Sequence, residues 1–376
     1  MGALRIVAGG DVAIGGILTG LSAADLALRV KDVVSIFARG DLSIVSLDCA
    51  IGEAGEPPHP EEYVVDGPAQ NLVLLEHLGV HLVSLANNHS TDRGFEALVA
   101  GRSELSRRGI LAVGAGGDEG AARAPAIIDV GGLRIGILAF ASCDPWVGAL
   151  AATTDAGGVA ELTQRGPMAD VVDLAARVDA VVVCLHWGKE YVPLPPPDNV
   201  RLGRALIDAG ARLVIGTHPH VAQPVETYND GVICYSLGNL LFPGYPEQGL
   251  GFSGSGLRSM VVTIELEAGS ASVESITMVS FDEEGFLSAV PAAQAQATFD
   301  DLEEQAVSLG SDRHERAWRR AVRRHEMDRL RRVLREEVMA AGLRGGTRRL
   351  LSLGRKNLVS VGRSLREILL AGRSSQ

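Results

Sequence analysis

The 376-residue sequence predicts a mixed α/β protein with enough strand for two sheets, followed by a helical, arginine-rich C-terminal extension. Three observations carry that reading. Short, almost continuously apolar runs alternate with amphipathic stretches of helical spacing, the pattern of strands covered on both faces. Pairs of runs meet at glycine-bearing turns, as in hairpins. The charge is also divided. Residues 311–376 hold 18 Arg and Lys against 7 Asp and Glu, and residues 1–310 hold 17 against 39, a net of +11 beside −22.

Taken in order, residues 4–8 read as the first strand. A helix is expected over 23–39, a strand over 42–47, a helix over 71–78, a strand over 80–86 and a helix over 94–108. Segments 125–130 and 133–140 form a hairpin that turns at Gly131-Gly132. A helix over 170–177, a strand over 180–185, a helix over 198–208 and a strand over 213–216 follow. A second hairpin joins 225–228 to 232–236 through Asn229-Asp230-Gly231, and 260–267 with 272–281 add a late antiparallel pair. The body is expected to occupy 1–290 and the extension 298–376. From Phe299 the pattern is helical, and after Gly342 a second amphipathic stretch spaces Leu351, Leu358, Val361, Leu365 and Ile368 among arginines. Such a basic helix packs on the protein's own acidic body, pairs with a second subunit, lies on an anionic membrane or docks on an acidic partner.

Composition narrows the function classes. At 46% hydrophobic and 22% charged residues the chain is globular rather than disordered. No apolar run approaches the ~20 residues of a membrane helix, and no secretory signal pattern is expected. The four cysteines form no CxxC pair, and Cys184 and Cys234 sit inside strand runs, which fits a reducing, cytoplasmic compartment. The acidic body argues against nucleic acid as a partner. A phosphorylated substrate stays compatible if metal ions supply positive charge.

The polar residues fall at strand ends. Asp11 follows the first strand and Asp48 the second, Asn87-Asn88-His89 with Asp92 follow the third, His186 ends another, and His218-Pro219-His220 a fifth. One aspartate after a strand is more often a turn or helix cap, and one histidine more often a hydrogen-bonded core residue. Five strands delivering such residues to one edge are not explained by packing, because open α/β sheets bind ligands beyond the carboxyl ends of their strands. Carboxylate, imidazole and amide oxygen together suit Zn, Mn or Fe(II). A pair of such ions bridged by an aspartate clamps the attacking and leaving oxygens of a displacement.

At these residues the sequence resembles the CapA family of poly-γ-glutamate capsule synthesis, within the calcineurin-like metallophosphatase superfamily. The blocks are Gly10-Asp11-Val12, Ser46-Leu47-Asp48, Leu85-Ala86-Asn87-Asn88-His89, His186-Trp187-Gly188-Lys189-Glu190-Tyr191, Gly216-Thr217-His218-Pro219-His220 and Tyr235-Ser236-Leu237-Gly238-Asn239, in family order. The resemblance implies a four-layer αββα sandwich and one or two divalent ions. Asp11 and His220 would hold one ion, Asn88, His186 and His218 the other, and Asp48 would bridge them. It also implies catalytic roles for His89 and Asp92, with Asn87, Lys189, Glu190, Asn239 and Arg258 near substrate. Two blocks depart from the pattern. Ala13 stands where superfamily phosphatases usually carry a histidine, and Asp48 where the family usually has glutamate, so one firm and one labile ion is an alternative. The implied function is a metal-dependent hydrolase of a phosphoester or related acyl or amide bond in a small molecule or polymer. The rival is a non-catalytic, metal-binding assembly factor for a capsule-like polymer. Homo-oligomerisation stays open.

Overall fold

In the computed structural model, which describes residues 3–56, 63–144, 147–163, 166–248, 250–251 and 254–341, the apolar runs become two sheets. β1 (Leu4–Val12), β2 (Leu42–Leu47), β3 (Leu82–Ser84) and β4 (Leu111–Val113) lie parallel, side by side, in the first. β5 (Ala126–Val130), β6 (Leu133–Ala141), β7 (Ala180–His186), β8 (Ala211–Thr217), β9 (Val225–Tyr228) and β10 (Gly231–Cys234) form the second, in the order β9-β10-β8-β7-β6-β5. Within it, β6, β7, β8 and β10 run parallel, and β5 and β9 close the edges as antiparallel hairpin arms. β11 (Asn239–Leu241), β12 (Arg258–Glu267), β13 (Ser270–Phe281) and β14 (Leu287–Ala289) complete the first sheet. β12 pairs the first half of β1 in antiparallel fashion, and β11 pairs its end in parallel, at Asp11↔Asn239.

The change of partner explains Gly10. A Cβ there would lie 1.8 Å from the Gly238 carbonyl oxygen, so only glycine lets β1 approach the segment before β11. That approach carries the 2.9 Å bond from Asp11 N–H to Gly238 O, which sets Asp11 in place.

The layering follows from side-chain alternation along strands. On β7, Val182 and Cys184 join the core between the sheets. Val181, Val183 and Leu185 face the other way, with Trp187. Helices α1 (Ala23–Val30), α2 (Val73–Leu78) and α3 (Gly94–Arg107) contribute Leu26, Leu75 and Leu98 to the first core. Helices α4 (Gly166–Ala175) and α5 (Pro197–Asp208) contribute Val171, Leu174 and Leu206 to the second. The result is the expected four-layer αββα sandwich. Local signals act as read: Ser22 caps α1 by accepting from Asp25 N–H at 3.1 Å, and Gly79, at φ 74°, ends α2.

Two elements differ from expectation. The helix over 23–39 breaks into Ala23–Val30 and Val34–Phe37, with a turn between. The strand over 80–86 shortens to β3, because Asn87 N–H turns back to Leu85 O at 3.0 Å. The extension is helical as expected, with α6 (Ala292–Ser308) and α7 (Asp312–Ala341). It packs on the body rather than standing apart: Leu302 joins the first core and Leu309 the second, while His314, Val322 and Glu326 are buried. The second amphipathic stretch, over 351–368, lies outside the described residues, as does His59. Among the described residues no helix is long and apolar enough to cross a membrane.

Candidate metal centre

Because β1, β2 and β3 run parallel, as do β7 and β8, their carboxyl ends present Asp11, Asp48, Asn88, His186, His218 and His220 to one place between the sheets. Asp11 and Asp48 are fully buried, and His186, His218 and His220 are at most 3% exposed. The contacts between them are short. His186 Nε2 lies 2.8 Å from Asn88 Oδ1, 3.1 Å from His218 Nδ1 and 3.8 Å from Asp48 Oδ1. Asp11 Oδ2 accepts the His218 backbone N–H at 3.0 Å and stands 3.8 Å from His220 Nδ1. Two sets of ligand atoms each fall within 4.8 Å of one another: Asp11, Asp48 and His220, and Glu190, His218 and His220.

The backbone is shaped to bring them there. His218 and His220 adopt positive φ, 92° and 57°, on either side of Pro219. Non-glycine residues in this region carry strain that the surrounding structure must hold, and such strain gathers at functional sites. Thr217 Oγ1 at 3.1 Å from His186 Nδ1 orients that ring. Asn239 Nδ2 donates to Gly256 O at 3.1 Å, so its Oδ1 faces His220 Nδ1 at 2.7 Å as an acceptor. The His220 proton therefore sits on Nδ1, leaving Nε2 as the ligating atom.

Without a cation the site is electrostatically costly. Burial pushes the Asp11 carboxyl up, against the pull of His220 and the His218 N–H. Burial, with the neighbouring Asp11 charge, pushes Asp48 up to about 7. Burial, with the facing His218 and His220, drives His186 down, so it stands as a neutral ligand. One Asp11 oxygen and both Asp48 oxygens are buried without a hydrogen-bond partner among the described residues. Native structures rarely leave buried carboxylate oxygens so. Carboxylate oxygens, imidazole nitrogens and an amide oxygen converging in this way fit a divalent cation of the Mn, Zn or Fe(II) kind.

At the rim, His89 Nδ1 pairs with Asp92 Oδ2 at 2.8 Å. Burial alone would lower the His89 pKa, but the Asp92 and Asp48 carboxylates carry it up to about 9. Burial pushes the Cys143 thiol up to about 12.

The profile of the bacterial capsule synthesis protein PGA_cap matches residues 5–244. The chain belongs to that family. It is 32% identical to the capsule biosynthesis protein CapA of Bacillus anthracis over 180 residues, which is 45% of this chain and 41% of that protein. It is 33% identical to the PGA biosynthesis protein CapA of Bacillus subtilis over 174 residues, 46% of this chain and 45% of that protein. The chain thus spans less than half the length of these relatives. Among solved structures, the calcineurin-like phosphoesterase YfkN of Bacillus subtilis aligns over 81% of this chain and 99% of that one, at 12% identity and a TM-score of 0.42. The PGA_cap match covers every candidate ligand above and ends before the extension.

The remaining predicted residues of this PGA_cap chain are spread around the cluster. Asn87 is buried, with Nδ2 donating to Leu47 O at 2.8 Å and Oδ1 accepting from His89 N–H and Ser90 Oγ, so it braces the loop. Lys189 is buried in an ion pair with Glu326 of α7, 2.8 Å long. Arg258 opens β12, two residues past the carbonyl that Asn239 holds. The helix α7 itself was missed as part of the site. Its His325 stacks on Tyr191 with ring centroids 6.1 Å apart, and its His314 Nε2 lies 3.0 Å from Pro195 O. Buried His314, Val322 and Glu326 mark its inward face, and sequence gives no hint of which loop they meet.

Proposed function

We propose that the chain is a metal-dependent hydrolase acting on a phosphoester or a related acyl or amide bond of an anionic small molecule or polymer. One observation carries the reading: two buried carboxylates, three of whose four oxygens lack a hydrogen-bond partner among the described residues, converge with three imidazoles and an amide oxygen. Asp11, Asp48 and His220 would hold one ion, and Asn88, His186 and His218 a second, with Asp48 shared. Mn, Zn or Fe(II) bound there supplies positive charge and lowers the pKa of a bound water towards about 7. Asp92 orients His89 and keeps it protonated, so His89 can deliver a proton to the leaving oxygen at the rim. Thr217 and Asn239 fix the rings of His186 and His220.

The second reading is a non-catalytic, metal-binding assembly factor for a capsule-like or poly-γ-glutamate-like polymer. The relatives' names favour it, because they describe biosynthesis proteins rather than hydrolases. Metal analysis of the purified protein, joined to a phosphatase, esterase and amidase screen with added Mn or Zn, separates the two. Turnover that chelation abolishes supports the hydrolase. Stoichiometric metal with no turnover on any substrate favours the assembly factor, and absence of bound metal refutes both.

A further inference from the structure

The six strand-end ligands leave one coordination shell thin. Ala13, fully buried, stands two residues after Asp11 and offers only a methyl group. An ion at Asp11 would have Asp11, Asp48 and His220 as its protein ligands, and one at Asn88 would have four. Resting on the proposed two-ion reading, we infer that the Glu190 carboxylate is a further metal ligand, beside His218 and His220.

Three observations support the assignment. First, a Glu190 oxygen lies within 4.8 Å of the ligating nitrogens of both His218 and His220. Ligand atoms bound at about 2.0–2.2 Å around one ion stand at most about 4.4 Å apart, so a small rotation of a long side chain closes the gap. His220 belongs also to the Asp11 and Asp48 set, so the two sets share a ligand. Second, the loop carrying Glu190 is stitched to the His218-Pro219-His220 segment. Trp187 N–H donates to Thr217 O at 3.1 Å, and Tyr191 N–H donates to Pro219 O at 2.8 Å. Gly188 at φ 96° and Tyr191 at φ 57° bend the backbone between these bonds. Third, the cation next door is held elsewhere. Lys189 would repel a metal ion, but Glu326 of α7 binds its ammonium at 2.8 Å in a buried ion pair. The extension thereby takes the lysine out of the way while its neighbour carries a negative charge to the ligand cluster.

The test uses the full chain, stripped of metal and reloaded with Co(II), with wild type, Glu190→Ala and Glu190→Gln compared. Glu190 is the least buried of its three-residue set, so both variants should fold, and melting of the metal-free proteins checks that. The expected result is that one of two ions binds at least about tenfold more weakly in both variants, with a changed visible Co(II) spectrum. If both variants bind two ions with wild-type affinity and spectrum, and only KM rises, Glu190 is a substrate contact and the inference fails. If wild type itself takes up no metal, the two-ion reading fails as well. Those two failures are distinct.

Discussion

Replacing Asp48 by asparagine should make the metal-free protein more stable and the metal-loaded protein less so. Asp48 titrates near 7 in the folded chain against 3.8 in its ordinary environment, because it is buried beside Asp11. A carboxyl raised in this way stabilises the fold fully below its unfolded value, and that stability is lost as pH climbs through its folded value. Above pH 7 the loss reaches about 4 kcal/mol. Asparagine removes the charge but leaves a buried amide short of partners, at a cost of about 2 kcal/mol. The net gain at pH 8 in chelator is therefore about 2 kcal/mol, or about 3 °C in melting temperature for a chain of this length. At pH 5, where folded Asp48 is largely protonated, the advantage shrinks. Metal reverses the ranking. Each ion at a hundred times its Kd stabilises wild type by about 2.7 kcal/mol, and the variant, without its shared ligand, gains little. Thermal melts of both proteins in EDTA and in saturating Mn or Zn, at pH 5 and pH 8, read all four values. The reasoning is refuted if Asp48→Asn melts below wild type in EDTA at pH 8, or if metal raises both proteins equally.

Three further outcomes follow from the geometry. His89→Asn should leave metal content at the wild-type value while slowing turnover at least about a hundredfold on any substrate found in the screen, since it removes a proton donor and no ligand; undiminished rates would remove His89 from the chemistry. Glu326→Gln should cost about 3 kcal/mol in urea unfolding by removing the acid that faces buried Lys189, and pairing it with Lys189→Met should recover most of that loss, whereas a neutral single variant would mean that α7 does not close over the loop. Gly10→Ala should cost about 2 kcal/mol or more and weaken metal binding, because the new methyl group must push β1 away from Gly238 and take Asp11 with it; native-like stability in calorimetry would contradict the close approach.

The parts of the fold that the sequence makes legible are those written in short-range patterns. Runs such as Ala180–His186 are apolar on both faces because each face meets a different core, and that doubling is visible as an unbroken run. Strand ends are equally visible, since a polar residue after such a run has to leave the sheet. The donor types at those ends therefore pointed to a cation before any geometry was known. Role within the site was harder to read. Asn87 and Asn88 are adjacent and chemically identical, yet one braces the loop through Leu47 O and the other faces His186. No local pattern separates a ligand from a brace, because the difference lies in which partner the third dimension brings near. Asn239, expected near substrate, also lies 2.7 Å from His220 Nδ1 through its Oδ1, a contact hidden from the sequence for the same reason.

The helix α7 shows the deeper limit. Its composition is that of a solvated helix, and the arginine count invites a reading as a free basic tail. Docking depends on few residues: Val322 and Glu326 one turn apart, with His314 two turns before Val322 and His325 beside Glu326. A charged helix can be a wall of a buried site if it offers an acid to a buried base. Glu326, 1% exposed in an arginine-rich helix, faces the ammonium of Lys189 at 2.8 Å. The extension and the body are thus joined at the loop that carries Glu190 by an ion pair whose signs run against their net charges: the basic extension supplies the acid and the acidic body the base. The contact is therefore written in one residue of each part and not in the charge asymmetry of the sequence.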